Sequence, residues 1–96
     1  MTSPNKIVLN SVRGYAPELD DLVVGWIRDG VIFFGVVGVE AAKIESIIDE
    51  LCVGDGSQPY SMLTASHGPN ETLQDALFLA EQLTKEFAGP VAVIEF

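Results

Sequence analysis

Val31-Ile32-Phe33-Phe34-Gly35-Val36-Val37 is apolar without a break. A strand with one wet face alternates apolar and polar side chains, so an unbroken run suits a strand covered on both faces, as in parallel sheets flanked by helices. The segments on either side have a different period. Upstream, Leu19, Leu22, Val23, Trp26 and Ile27 recur at the i, i+3, i+4, i+7, i+8 spacing of a helical stripe. Pro17 suits the first helical position, Glu18, Asp20 and Asp21 load the positive end of the helix dipole, and Gly30 supplies a left-handed stop. These signals predict a helix over 17–29 with Trp26 facing inward. Downstream, Ile44, Ile47, Ile48 and Leu51 predict a second amphipathic helix over about 40–52, with Glu40, Lys43, Glu45, Asp49 and Glu50 on its remaining surface.

The pattern continues outward. Lys6-Ile7-Val8-Leu9, closed by Asn10-Ser11, reads as a buried first strand, and Tyr60 to Ala65 and Val91 to Phe96 read as the third and last. Gly54 to Pro59 has the glycine and proline density of a mobile surface loop. A third helix places Leu73, Ala76, Leu77, Ala80, Leu83 and Phe87 on one face, pairs Glu81 with Lys85 and stops at Gly89-Pro90. The order β-α-β-α-β-α-β makes the strands parallel if each helix is a right-handed crossover. The expected fold is therefore a single α/β domain over 1–96, a three-layer sandwich with a four-stranded parallel sheet. The strand order expected is the flavodoxin-like 2-1-3-4, with the second and last strands at the edges.

Charge and cysteine usage narrow the function classes. Fourteen acids against Lys6, Arg13, Arg28, Lys43 and Lys85 give a formal net charge of −9. That field disfavours nucleic acid and anionic membranes as partners and favours solubility. Cys52 is alone, so neither an intrachain disulfide nor a thiolate pair for zinc can form, which points to a reducing, cytoplasmic setting. Its expected role is that of a small buried hydrophobe. Gly35-Val36-Val37-Gly38 lacks the spacing of a dinucleotide fingerprint and the Lys and Ser/Thr of a phosphate loop, so Gly38 is expected to supply an unusual backbone angle and Gly35 close packing. No cofactor is expected.

Order 2-1-3-4 puts the switch point, where open α/β sheets bind ligands, between strands one and three. Arg13 follows strand one; Ser66 and the lone histidine, His67, follow strand three; Glu71 opens the third helix. Arg13, Ser66, His67 and Glu71 are accordingly the candidate ligand-binding set, with the helix N-terminus and the arginine suited to a carboxylate or phosphate. Ser66 and His67 are adjacent, so they make a poor nucleophile–base pair, and no catalytic or metal-binding residue is assigned.

Trp26-Ile27-Arg28-Asp29-Gly30-Val31-Ile32-Phe33, then Thr64-Ala65-Ser66-His67, Glu71-Thr72-Leu73 and Phe78-Leu79-Ala80, resemble a family of small uncharacterised bacterial proteins. That family pairs a Trp-to-Gly helix end with a Thr-x-x-His strand end and a Glu-x-Leu helix start. The resemblance implies no activity; it implies that Thr64, His67 and Glu71 belong together.

The function expected first is a non-enzymatic interaction or regulatory module, self-associating as a dimer through an apolar edge or helix face, or capturing a protein partner. The alternative is a small-anion site at the carboxyl ends of strands one and three. A hydrolase or transferase built on the same residues comes third.

Overall fold

The computed structural model describes residues 5–54, 56–57, 60, 62–68, 70–83 and 89–96. The elements follow in the order β1 (Lys6–Ser11), α1 (Glu18–Asp29), β2 (Phe33–Gly38), α2 (Ala41–Val53), β3 (Leu63–Ser66), α3 (Leu73–Gln82) and β4 (Val91–Glu95). All three strand pairings are parallel, so the fold is α/β with a four-stranded parallel sheet. The expected Glu81–Lys85 pair, the inward place of Phe87 and much of the 54–59 loop involve residues outside those described.

The strand order is β3-β2-β1-β4, which corrects the expected 2-1-3-4. Both orders permit right-handed crossovers, so handedness does not choose between them. Side-chain burial does. From Phe33 to Val37 every residue of β2 is buried, as a strand flanked on both sides must be, whereas no residue of β3 is. Its Thr64 and Ser66 suit an edge. The unbroken apolar run that identified β2 as doubly covered is thus the signal that also makes it central rather than marginal.

Two cores lie on opposite faces of the sheet. Ile7, Leu9, Phe34 and Val36 pack with Leu19 and Val23 of α1 and with Ile44, Ile48 and Cys52 of α2. Trp26 joins this cluster with its ring centroid 5.5 Å from that of Phe34, as its place on the inward stripe predicts. Leu22 of the same stripe is exposed instead. On the other face, Val8, Phe33 and Val37 meet Ala76 and Ala80 of α3. Small residues on α3 let the single helix come close to the large Phe33.

Local sequence explains the helix ends. Gly30 closes α1 at φ 87°, in the left-handed region expected of it. Thr72 accepts from the Asp75 N–H while the Asp75 carboxylate accepts from the Thr72 N–H, a reciprocal cap for α3. The far end of α3 is held by an unexpected group: Lys6, almost fully buried, donates from Nζ to the Ala80 carbonyl at 2.7 Å. A cation there complements the negative end of the helix dipole.

Candidate functional site

Three loops meet at the carboxyl ends of β1, β2 and β3, and glycines set their approach. Gly38 ends β2 at φ 106°, and a Cβ there would lie 2.2 Å from the Ser11 carbonyl oxygen. No side chain fits between the strands at that point, so the expected special backbone angle of Gly38 is a requirement of close approach. The close packing expected at Gly35 is against side chains: a Cβ there would sit 3.2 Å from the Phe33 ring and 4.0 Å from His67 Nε2.

Next comes Glu40, at φ 56° the one non-glycine residue with positive φ among the described residues. A residue held there by its surroundings marks a position that the tertiary structure over-determines. Its carboxylate does not cap α2. It reaches back to the β1–α1 loop, where Oε1 accepts the Tyr15 N–H at 3.1 Å and would stand 2.4 Å from any Cβ on Gly14. Its other oxygen lies 3.5 Å from Lys43 Nζ.

The consequence falls on α2. The first bond of its ladder runs from the Ile44 N–H to the Glu40 carbonyl, so the N–H groups of Ala41, Ala42 and Lys43 precede the ladder and have no side-chain cap. No acid stands in the first turn to complement the dipole. Those residues form one wall of a cleft of about 330 Å³, with Gly38 and Glu40 beside them and Ser66, His67 and Gly68 opposite.

His67 is 7% exposed. Its Nδ1 lies 2.8 Å from Glu71 Oε2, and Glu71 Oε1 accepts the Gly68 N–H at 3.0 Å. The hydrogen bond from His67, helped by the Gly68 N–H, holds the Glu71 carboxyl below its usual range. An ionised carboxylate only accepts, so Nδ1 is the donor to Glu71. The other ring nitrogen, Nε2, is buried and has no hydrogen-bond partner among the described residues.

The predicted set is therefore split. Ser66, His67 and Glu71 lie together, but β2 separates β3 from β1, which puts Arg13 on the far side of two strand spacings, roughly 10 Å. The Arg13 guanidinium instead stands 5.1 Å from the Phe96 ring centroid beside β4. Thr64, grouped with His67 by the family resemblance, bonds on its own to Glu45 and Asp49 of α2, at 3.0 and 2.9 Å. The cleft's other wall was missed. Its signal was legible: the expected second helix has neither a Ser/Thr/Asp/Asn cap nor an acid in the turn after Glu40.

Catalytic readings gain little. Burial pushes the Cys52 thiol up, with Asp49 adding to it, so it is no thiolate nucleophile. No cluster of three or more His, Cys, Asp or Glu suited to a metal occurs among the described residues. None of their helices is long and apolar enough to cross a membrane. The fold and this cleft define a small α/β domain with an uncapped helix facing a concave site. The chain matches no protein-family model, no curated protein and no solved structure.

Proposed function

We propose that this chain is a binding domain for a small anion, a carboxylate or phosphate borne on a compact organic molecule. The observation that carries this reading is the uncapped first turn of α2 forming one wall of the cleft. Free N–H groups and the positive end of a helix dipole are matched by a negative ligand, and Lys43 stands at the same wall with its charge offset by Glu40 at 3.5 Å. Ser66 offers a hydroxyl from the opposite wall. The cleft volume falls at the small end of ligand pockets, so the anion comes attached to a modest organic body.

Glu40 supports the reading by being diverted. As the residue before the helix it is placed to compete for the free N–H groups, yet its carboxylate is committed to Tyr15 and Lys43. The chain's net negative charge opposes anion capture at long range, so added salt weakens binding less than it does for a basic protein.

The test is a thermal-shift and calorimetric screen of inorganic phosphate, nucleotides and di- and tricarboxylates against wild type and Ala42→Glu. Ligand at a hundred times its dissociation constant raises the melting temperature by ~10 °C or more in a domain this size. Ala42→Glu places an acid in the first turn, which stabilises α2 while filling the cleft. Loss of the ligand shift in a variant that melts no lower than wild type supports the reading; an unchanged shift sinks it.

A further inference from the structure

Glu40 begins α2 without capping it, and its carboxylate is held off the helix by the β1–α1 loop. Resting on the anion-binding reading of the cleft, we propose that Glu40 gates it. Tied to Tyr15, the carboxylate leaves the first turn of α2 to a ligand; turned back onto α2, it caps that turn and shuts the site.

The backbone at this position is left-handed, at φ 56° and ψ 32°. A capping residue has an extended backbone instead, from which its side-chain oxygen accepts the N–H of the second or third helical residue, here Ala42 or Lys43. Left-handed backbone is unfavourable for a residue with a Cβ, and such outliers persist where surrounding contacts hold them, as in ligand clamps and switches. Glu40 therefore forgoes two gains at once: a relaxed backbone and the bonds of a cap.

What holds it open is modest. Oε1 accepts the Tyr15 N–H at 3.1 Å, and Oε2 lies 3.5 Å from Lys43 Nζ, with the two side chains 42% and 59% exposed. An exposed ion pair contributes little, which leaves chiefly one hydrogen bond to a loop. One such bond is of the same order as a helix cap, so neither position of the carboxylate wins by a wide margin. The open position exists because residue 14 has no side chain: a Cβ on Gly14 would stand 2.4 Å from Oε1.

Ligand and carboxylate exclude each other at the N–H groups of the first turn. An anion that occupies them drives Glu40 to Tyr15, so the β1–α1 loop tightens as the cleft fills, although Tyr15 does not line it. Linkage makes the effect reciprocal: whatever takes the Tyr15 N–H from Glu40 closes the cleft. A carboxylate that serves only to fix the loop has neither property.

The probes are inorganic phosphate and citrate, each titrated into the full chain as wild type, Glu40→Asp and Glu40→Gly, with amide hydrogen exchange read at Tyr15, Ala42 and Lys43. Asp is one methylene shorter, suited to capping its own helix and too short for Tyr15. Without ligand, Glu40→Asp is expected to slow the Ala42 or Lys43 amide and to speed that of Tyr15. Its anion binding is expected to weaken by about tenfold as the open fraction falls. Glu40→Gly keeps the left-handed backbone without the carboxylate and is expected to bind at least as tightly as wild type. In wild type, the bound anion is expected to slow the Tyr15 amide. Equal affinity in wild type and Glu40→Asp, or a Tyr15 amide indifferent to the anion, overturns the gate and leaves the anion site standing. Binding of neither probe to any of the three proteins overturns the anion reading, and the gate with it.

Discussion

Glu71 holds His67 and the turn that follows it with one carboxylate: Oε2 lies 2.8 Å from Nδ1 and Oε1 accepts the Gly68 N–H. The imidazole is thereby splinted between the end of β3 and the start of α3, and its Nε2 is left buried beside Gly35.

That arrangement has a pH signature. The Glu71 carboxyl is held below its ordinary value of 4.5, chiefly by the His67 hydrogen bond. A carboxyl depressed in the folded state stabilises the fold at pH above the unfolded value, and the contribution is lost as pH falls through the folded value. Wild type is expected to be more stable than Glu71→Gln at about pH 5.5, with the gap closing towards about pH 3. Urea unfolding of both proteins at the two pH values measures it.

The glycines separate space from backbone angle. Gly30→Ala meets no neighbour and is expected to cost only ~1 kcal/mol for its left-handed φ of 87°. Gly38→Ala adds a clash with the Ser11 carbonyl at the β1–β2 junction and is expected to cost more than ~3 kcal/mol or to prevent folding. Melting temperatures of the pair give the comparison. Equal losses at the two positions would contradict the close-approach argument.

Gly14→Ala reaches the cleft without lining it. Its Cβ would displace the Glu40 carboxylate, freeing an acid at the start of α2 to compete for the uncapped N–H groups. Stability is expected to fall by ~1–2 kcal/mol, and anion binding in the thermal-shift assay to weaken although every cleft residue is intact.

Lys6 is a buried cation with no carboxylate partner among the described residues. The Ala80 carbonyl it serves also accepts the Leu83 N–H, so removal of the ammonium does not orphan that oxygen. Lys6→Met keeps the volume and is expected to change stability by less than ~1 kcal/mol, whereas Lys6→Ala leaves a cavity and is expected to cost ~2 kcal/mol or more. Chemical denaturation of the two variants distinguishes packing from charge as the role of this residue.

Thr72→Ala removes the Oγ1 that accepts the Asp75 N–H, keeps the backbone N–H that donates to the Asp75 carboxylate, and is expected to lower stability by ~1 kcal/mol. Circular dichroism melts check it, with Thr72→Ser expected to recover most of the loss.

The element types of this protein were written in its local sequence. Alternation of period between the Phe33 run and the flanking Leu19–Ile27 and Ile44–Leu51 stripes is enough to specify strands and helices, because each stripe reports which side of its own segment is buried. The stop at Gly30 and the start at Pro17 were legible for the same reason: they satisfy backbone groups within a few residues. Glu71 beside His67 was within reach too, being one short turn away.

What only the tertiary structure decided was which strands are neighbours, and with that the site. Order 3-2-1-4 rather than 2-1-3-4 depends on the total area buried when elements far apart in the chain come together, and no local period records that sum. Placing β2 between β1 and β3 sent Arg13 to Phe96 and away from His67. It also brought Glu40 onto Gly14 and opened α2 onto Ser66. The sequence by itself determined the pieces, because burial of a side chain is a property of its own segment; their pairing, and so the cleft, belongs to contacts that exist only once the chain has closed.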